Sequence, residues 1–184
     1  MDIPIHRIES VVNEIYKSDN ITIKPRAVHF IDTNITKTLE LLGEKNAKNL
    51  PKIIIVSEQE MQTGALACYI PATNTMLLRE VLGDRKALIN LQKDMACSDN
   101  PLSTYLHEFY HWQDAMKYIR KYGKLDAKYF SRLREFCRLR LVEAGRRLYN
   151  NISPYAEKAL DKTPKQYDEV YTEYRVKQLL KEAR

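Results

Sequence analysis

Residues 107–111 read His-Glu-Phe-Tyr-His, an H-E-x-x-H pattern that determines how the rest of the chain is interpreted. The segment lies where a helix is expected, and on a helix positions i and i+4 share one face. His107 and His111 can therefore both reach one metal ion, with Glu108 beside them as a general base for water at that ion. Two of the four histidines of the chain lie in this motif. A metal site is the leading hypothesis, and two histidines with ordinary packing partners are the alternative.

The motif needs one more ligand, because a catalytic zinc ion takes three protein ligands and keeps a fourth position open. A third His on the same helix is excluded, since Lys117 stands at that position and no His follows His111. The remaining solution is a Glu from a later helix. Glu169 and Glu173 lie four residues apart near the end of the chain, so they share a helix face. We predict that one of them ligates zinc and that the other orients a ligating His.

The pattern slightly favours Glu173 as the ligand, because it lies deeper among the apolar residues of its helix. Glu169 is the close alternative, since an acid follows it one turn later and could support it. Glu143 is a weaker third candidate. Asp114, one turn after His111, is either a supporting acid or an exposed helical one. Without the motif, the two late glutamates would be interpreted as partly solvated partners of Arg or Lys.

Composition places the chain among globular proteins. Its 184 residues are 44% hydrophobic and 29% charged, which predicts one domain over residues 1–184 with a sizeable core. No apolar run reaches the length of a membrane span, and the N-terminus lacks the pattern of a secretion signal. Three widely spaced cysteines do not suggest a disulfide framework. We therefore expect a cytoplasmic protein without a membrane partner.

The order of predicted elements indicates an α+β fold with a small mixed sheet, an edge hairpin, the motif helix and a helical C-terminal half. Pro71–Asn74 supplies the turn of the hairpin. The predicted strands are 26–31, 52–56, 65–70 and 75–78. The predicted helices are 5–15, 33–43, 79–95, one containing the motif and ending at Gly123, 126–148, 155–160 and 165–183.

A basic stripe covers residues 117–147, where eleven Lys and Arg accompany three acids. Such a stripe could attract nucleic acid or an acidic protein surface. A solvated helix face is the favoured interpretation, because no recognised nucleic-acid motif accompanies the charge.

Taken together, these residues resemble the zincin-like metallopeptidases of the gluzincin type, over roughly residues 50–180. His107, Glu108 and His111 match the family signature, Glu169 or Glu173 matches its late Glu, and 65–78 falls where such folds place the edge strand that pairs with substrate. The chain also resembles small zincin-like proteins encoded by phages and mobile elements. It lacks the Glu-x-x-x-Asp seen in many relatives, which is why the third ligand stays open.

The resemblance implies a zinc-dependent peptidase in which Glu108 activates water to cut a specific protein substrate. A second hypothesis is a catalytically silent structural or binding protein on the same scaffold, for example a component of a phage particle. A nucleic-acid-binding module that uses the basic stripe is the third. Only the first requires that Glu108→Gln abolish activity while zinc is retained.

Overall fold

A computed structural model describes residues 4–8, 14–61, 64–95, 100–144 and 166–183 of the chain. Within these ranges the fold is α+β, as predicted, with five strands and five α-helices. The strands are β1 (Ile5–Ile8), β2 (Ile15–Ser18), β3 (Lys52–Val56), β4 (Ala67–Ile70) and β5 (Thr75–Arg79). The helices are α1 (Pro25–Leu41), α2 (Arg85–Met95), α3 (Leu102–Tyr122), α4 (Tyr129–Ala144) and α5 (Tyr167–Glu182).

The five strands form one mixed sheet in the order β1-β2-β3-β5-β4. The three central strands are parallel, while β1 and β4 run antiparallel to their neighbours. The predicted edge hairpin is confirmed, since β4 pairs with β5 and has no neighbour on its other side among the described residues. Asn74 closes the turn with a φ of 48°, in the left-handed region that Asn tolerates better than most residues.

One face of the sheet carries the core. Register places Ile53 beside Met76 and Met76 beside Tyr69, all on that face. Helices α1 and α3 contribute the other half of the core, which includes Tyr105 and Trp112. Full burial of each large apolar side chain stabilises the folded state by about 1.5–3 kcal/mol. This packing fixes α3, and with it the motif, against the sheet.

The predicted helix at residues 5–15 is wrong at both of its ends, while residues 9–13 lie outside the described residues. Residues 5–8 form β1 and residues 15–18 form β2, with Ile5 paired to Ser18 and Ile8 to Ile15. Apolar spacing here suited a helix, but the apolar residues are β-branched and favour strands. Parallel pairing of β2 with β3 then incorporates the segment into the sheet.

The predicted strand at 26–31 is also wrong, because this segment is the first half of α1. That helix begins at Pro25 rather than at residue 33. Proline suits the first helical position, since its missing N–H needs no partner there. Val28, Ile31 and Ile35 recur at helical spacing and are buried, so α1 packs as one amphipathic helix.

The later helices largely follow prediction. Helix α2 begins at Arg85 rather than residue 79, after a short 3₁₀ turn at Glu80–Gly83. Asp84 accepts hydrogen bonds from the backbone N–H groups of Lys86 and Ala87, which caps α2. The predicted helix at 155–160 and the end of the one at 126–148 lie outside the described residues. None of the described helices combines the length and the apolar composition needed to cross a bilayer.

Candidate metal centre

The H-E-x-x-H motif lies in the first half of α3, as the sequence predicts. One side of this helix, including Tyr105, Phe109 and Trp112, is buried against the sheet. His107 and His111 lie on the opposite side, towards α5, where their side chains keep 24% and 14% exposure. The sheet therefore anchors the helix while both imidazoles remain within reach of an ion.

Glu169, in the first turn of α5, completes a triad with the two histidines. Its Oε2 lies 2.9 Å from Nε2 of His107, and its Oε1 lies 3.4 Å from Nε2 of His111. The two Nε2 atoms are 3.1 Å apart. Glu169 follows His107 by 62 positions in sequence, so the packing of α5 on α3 brings the three side chains together.

The triad fits zinc in both chemistry and size. Its potential ligand atoms all lie within 4.8 Å of one another. A tetrahedral zinc ion with ligands at about 2.0–2.2 Å separates those ligands by roughly 3.3–3.6 Å. The observed separations are within a few tenths of an ångström of that range, so a small outward shift would admit the ion. Two imidazole nitrogens with one carboxylate suit zinc better than magnesium or calcium, which prefer all-oxygen sites.

Charge within the triad is strongly coupled. Burial alone would raise the pKa of Glu169, but the adjacent His111 and hydrogen bonds with both imidazoles hold that pKa well below its usual range. Burial would likewise lower the pKa of His111, whereas Glu169 raises it to about 9. Near neutral pH, without a metal, an imidazolium therefore faces a carboxylate. Metal ligation requires neutral imidazole, so zinc must displace this proton.

Glu108 lies close enough to the triad to act electrostatically on His111, and its carboxylate reaches the edge of the sheet. Its Oε2 accepts a hydrogen bond of 2.8 Å from the backbone N–H of Tyr69 in β4. The paired positions of β4 and β5 explain why this amide is available. The backbone N–H of Arg79 in β5 donates to the carbonyl of Leu66, so alternate residues of β4 face β5 and the Tyr69 N–H faces outward. The expected general base is thus fixed between the motif helix and the edge strand.

The structure separates the two late glutamates that the sequence left as alternatives. Glu169 joins the histidines, whereas Glu173 is buried one turn further along α5 and lies 3.7 Å from Nζ of Lys177. Glu169 therefore replaces Glu173 as the favoured candidate ligand, because the first turn of α5 is the part that packs beside the two histidines. Glu143 lies on α4 and pairs with Arg140 at 2.9 Å, which gives it a surface role.

The sequence did not predict two further groups near the site, the carboxyl group of Asp168 and the backbone N–H of Tyr69. Asp168 is buried next to Glu169, and burial together with that neighbour raises its pKa. Nε of Arg134 lies 3.6 Å from Asp168 Oδ1, beyond hydrogen-bonding distance. The Tyr69 amide carried no sequence signal, since every residue except proline offers a backbone donor. The only sequence signal for Asp168 was its position as an acidic residue in the first turn of a predicted helix.

The basic stripe is partly neutralised on its own helix. Arg138 pairs with Glu135 at 2.7 Å, and Arg140 pairs with Glu143. Arg132 donates to the hydroxyl of Tyr118 and lies over the ring of Tyr122. These local partners favour a solvated helix face over a nucleic-acid surface.

No protein-family model, curated protein or solved structure matches this chain. Fold alone does not specify activity, so a function for this chain is inferred from the motif and from the geometry of its side chains.

Proposed function

We propose that the protein is a zincin-like, zinc-dependent metallopeptidase that hydrolyses a peptide bond in a specific protein substrate. The observation that supports this best is the convergence of Glu169 on His107 and His111, with Glu108 held beside them. A His, His, Glu ligand set next to an independent carboxylate is one of the arrangements that support metal-assisted hydrolysis.

Each residue has a distinct part in the proposed reaction. His107, His111 and Glu169 would hold the zinc ion, which would act as a Lewis acid and lower the pKa of water. Glu108 takes a proton from the attacking water and returns it to the leaving amine. In the unliganded protein its Oε2 accepts a hydrogen bond from Tyr69 N–H, so Oε2 is fixed and Oε1 takes no part in this bond.

The edge strand gives the proposed substrate a place to lie. An extended peptide can add to an exposed edge through main-chain hydrogen bonds, and side-chain pockets then provide selectivity. The outward-facing amides of β4 are adjacent to Glu108, so a peptide paired there would run past the base. A specific protein, rather than proteins in general, is the proposed substrate of so small a domain.

The second candidate is a catalytically silent zincin-like protein in which zinc has a structural role. The hydrogen bond between Glu108 and the edge strand favours it, because that carboxylate already ties α3 to β4. In this case zinc stabilises the fold, and Glu108 contributes only to the attachment of the hairpin. A component of a phage particle is one protein of this type.

Metal content of the purified protein tests the proposal first. We expect one zinc per chain in the wild type and its loss in His107→Ala, measured by elemental analysis after zinc-supplemented purification. An absence of zinc in the folded wild type would refute both candidates. If zinc is present, peptide-library cleavage by wild type and Glu108→Gln distinguishes peptidase from silent protein.

A further inference from the structure

A second polar contact joins α3 to α5 beside the candidate ligands. Arg175 Nη1 donates to Asp114 Oδ1 at 2.9 Å, and Nη2 donates to Asp114 Oδ2 at 2.6 Å. Both side chains are largely buried, at 13% and 7% exposure. Two parallel hydrogen bonds between a guanidinium and a carboxylate fix the orientation of each group as well as their distance.

Aromatic rings from the same two helices enclose the guanidinium. Its carbon lies 4.4 Å from the ring centroid of Tyr110 in α3 and 4.7 Å from that of Tyr171 in α5. Nη2 also donates to Oγ1 of Thr172 at 2.9 Å. We call Asp114, Arg175, Tyr110 and Tyr171 the α3–α5 clamp. A lysine could keep the charge of this clamp but neither its paired hydrogen bonds nor its stacking.

The clamp and the triad connect the same two helices at separate points. Asp114 follows His111 by three residues, about 4.5 Å along α3, and Arg175 follows Glu169 by six residues, about 9 Å along α5. A helix held at one point can still rotate or tilt about it. Held at two points, α5 presents the Glu169 carboxylate to the imidazoles in one orientation.

We propose that Arg175 is a positioning residue that sets the orientation of Glu169 and thereby the affinity of the site for zinc. It contacts neither the ion nor the substrate and acts through α5. The zinc part of this inference rests on the proposed function. The placement of Glu169 does not, because the Glu169–His107 contact can be observed in protein stripped of metal.

Arg175→Lys is the sharpest test, since it keeps the charge and removes the clamp geometry. We expect zinc affinity to fall by about 10–100-fold, as for other residues that orient metal ligands. The absorption spectrum of the Co²⁺-substituted protein should change as well, because the ligand geometry changes. In crystals of chelator-treated protein, the Glu169 carboxylate should withdraw from Nε2 of His107.

Arg79→Lys is the matched control. Arg79 is also largely buried, at 11% exposure, and pairs with Glu58 at 3.0 Å in a part of the fold away from the triad. This control should leave the zinc affinity and the Co²⁺ spectrum unchanged. If Arg175→Lys does not fold, Asp114→Asn weakens the same clamp from its other side and replaces it in each measurement.

The outcomes separate the two proposals. Wild-type zinc affinity and an unmoved Glu169 in folded Arg175→Lys would overturn the inference, even if the melting temperature falls. An equal loss of affinity in Arg79→Lys would also overturn it, since the effect would then be general destabilisation. If the wild type binds no zinc, the proposed function fails, and the position of Glu169 in the chelator-treated crystals alone decides whether Arg175 positions it.

Discussion

The carboxylate of Glu108 and the backbone N–H of Tyr69 are joined by a 2.8 Å hydrogen bond that links the motif helix to the edge of the sheet. This contact gives Glu108 a fixed position beside the triad without making it a ligand. Mutation of a metal ligand lowers metal affinity, whereas mutation of a general base lowers the reaction rate. A mutation of Glu108 therefore tests the proposed chemistry and leaves the three proposed zinc ligands in place.

Glu108→Gln should abolish peptide hydrolysis and leave zinc bound. Removal of a general base costs about 10²–10⁴-fold in rate, whereas the amide oxygen of Gln can still accept from Tyr69 N–H. Cleavage rate and zinc content should be measured on the same preparation. Equal cleavage by wild type and Glu108→Gln would exclude Glu108 as the base.

Glu169→Gln and Glu173→Gln should differ in zinc affinity. Of these two acids, only Glu169 contacts the two histidines. Loss of a residue that merely orients a ligand weakens metal binding by about 10–100-fold, and loss of the ligand Glu169 should weaken zinc binding further. Glu173→Gln should bind zinc nearly as the wild type does. Competition with a chromophoric chelator gives both constants, and the reverse order would return the ligand role to Glu173.

The free energy of unfolding of zinc-free protein should decrease as pH rises from about 6.5 to about 9. The pKa of His111 in the folded state, about 9, lies above its ordinary value of 6.5. Across this pH window the folded state therefore binds more protons than the unfolded state. The stabilisation from His111 is complete below about pH 6.5 and is lost as the pH rises to about 9. Urea unfolding with chelator present, at several pH values, measures the effect. Glu169→Gln should flatten the profile, and a wild-type profile that is already flat would contradict the coupling.

Asn74→Ala should destabilise the edge hairpin. The Asn74 amide accepts from the hydroxyl of Tyr69 and donates to the carbonyls of Asn49 and Leu50. Loss of these bonds, with Ala at a positive φ, should cost about 1–3 kcal/mol in unfolding free energy, measured by urea denaturation.

Asn74→Asp is the matched comparison, because it keeps the acceptor for Tyr69 but loses the donor to both carbonyls. It should lie between wild type and Asn74→Ala in stability. If all three proteins unfold at the same urea concentration, these hydrogen bonds do not hold the hairpin.

Local sequence signals predicted most of the elements around the candidate site. The β-branched run in β3, the turn before Thr75 and the glycine that ends α3 at Gly123 each act over a few residues. The H-E-x-x-H pattern likewise depends on one helical turn. Such features follow from chain geometry, so the sequence predicts them without knowledge of the tertiary fold.

Two of the errors arose where packing between distant parts of the chain decided the outcome. Spacing at the N-terminus suited a helix, but β2 pairs with β3, which is more than thirty residues away. The choice between Glu169 and Glu173 depended on the position of α5 along α3. Helical periodicity cannot provide that position, because both acids lie on the same face of α5 and differ only in their position along its axis.

The outward direction of the Tyr69 amide has a consequence for how a bound peptide would affect Glu108. A strand that pairs with β4 offers its own carbonyl to that N–H and so competes with the carboxylate. Arrival of such a strand would free the Glu108 carboxylate at the moment that a peptide bond lies beside it, whereas in the unliganded protein this carboxylate stays bound to the edge strand.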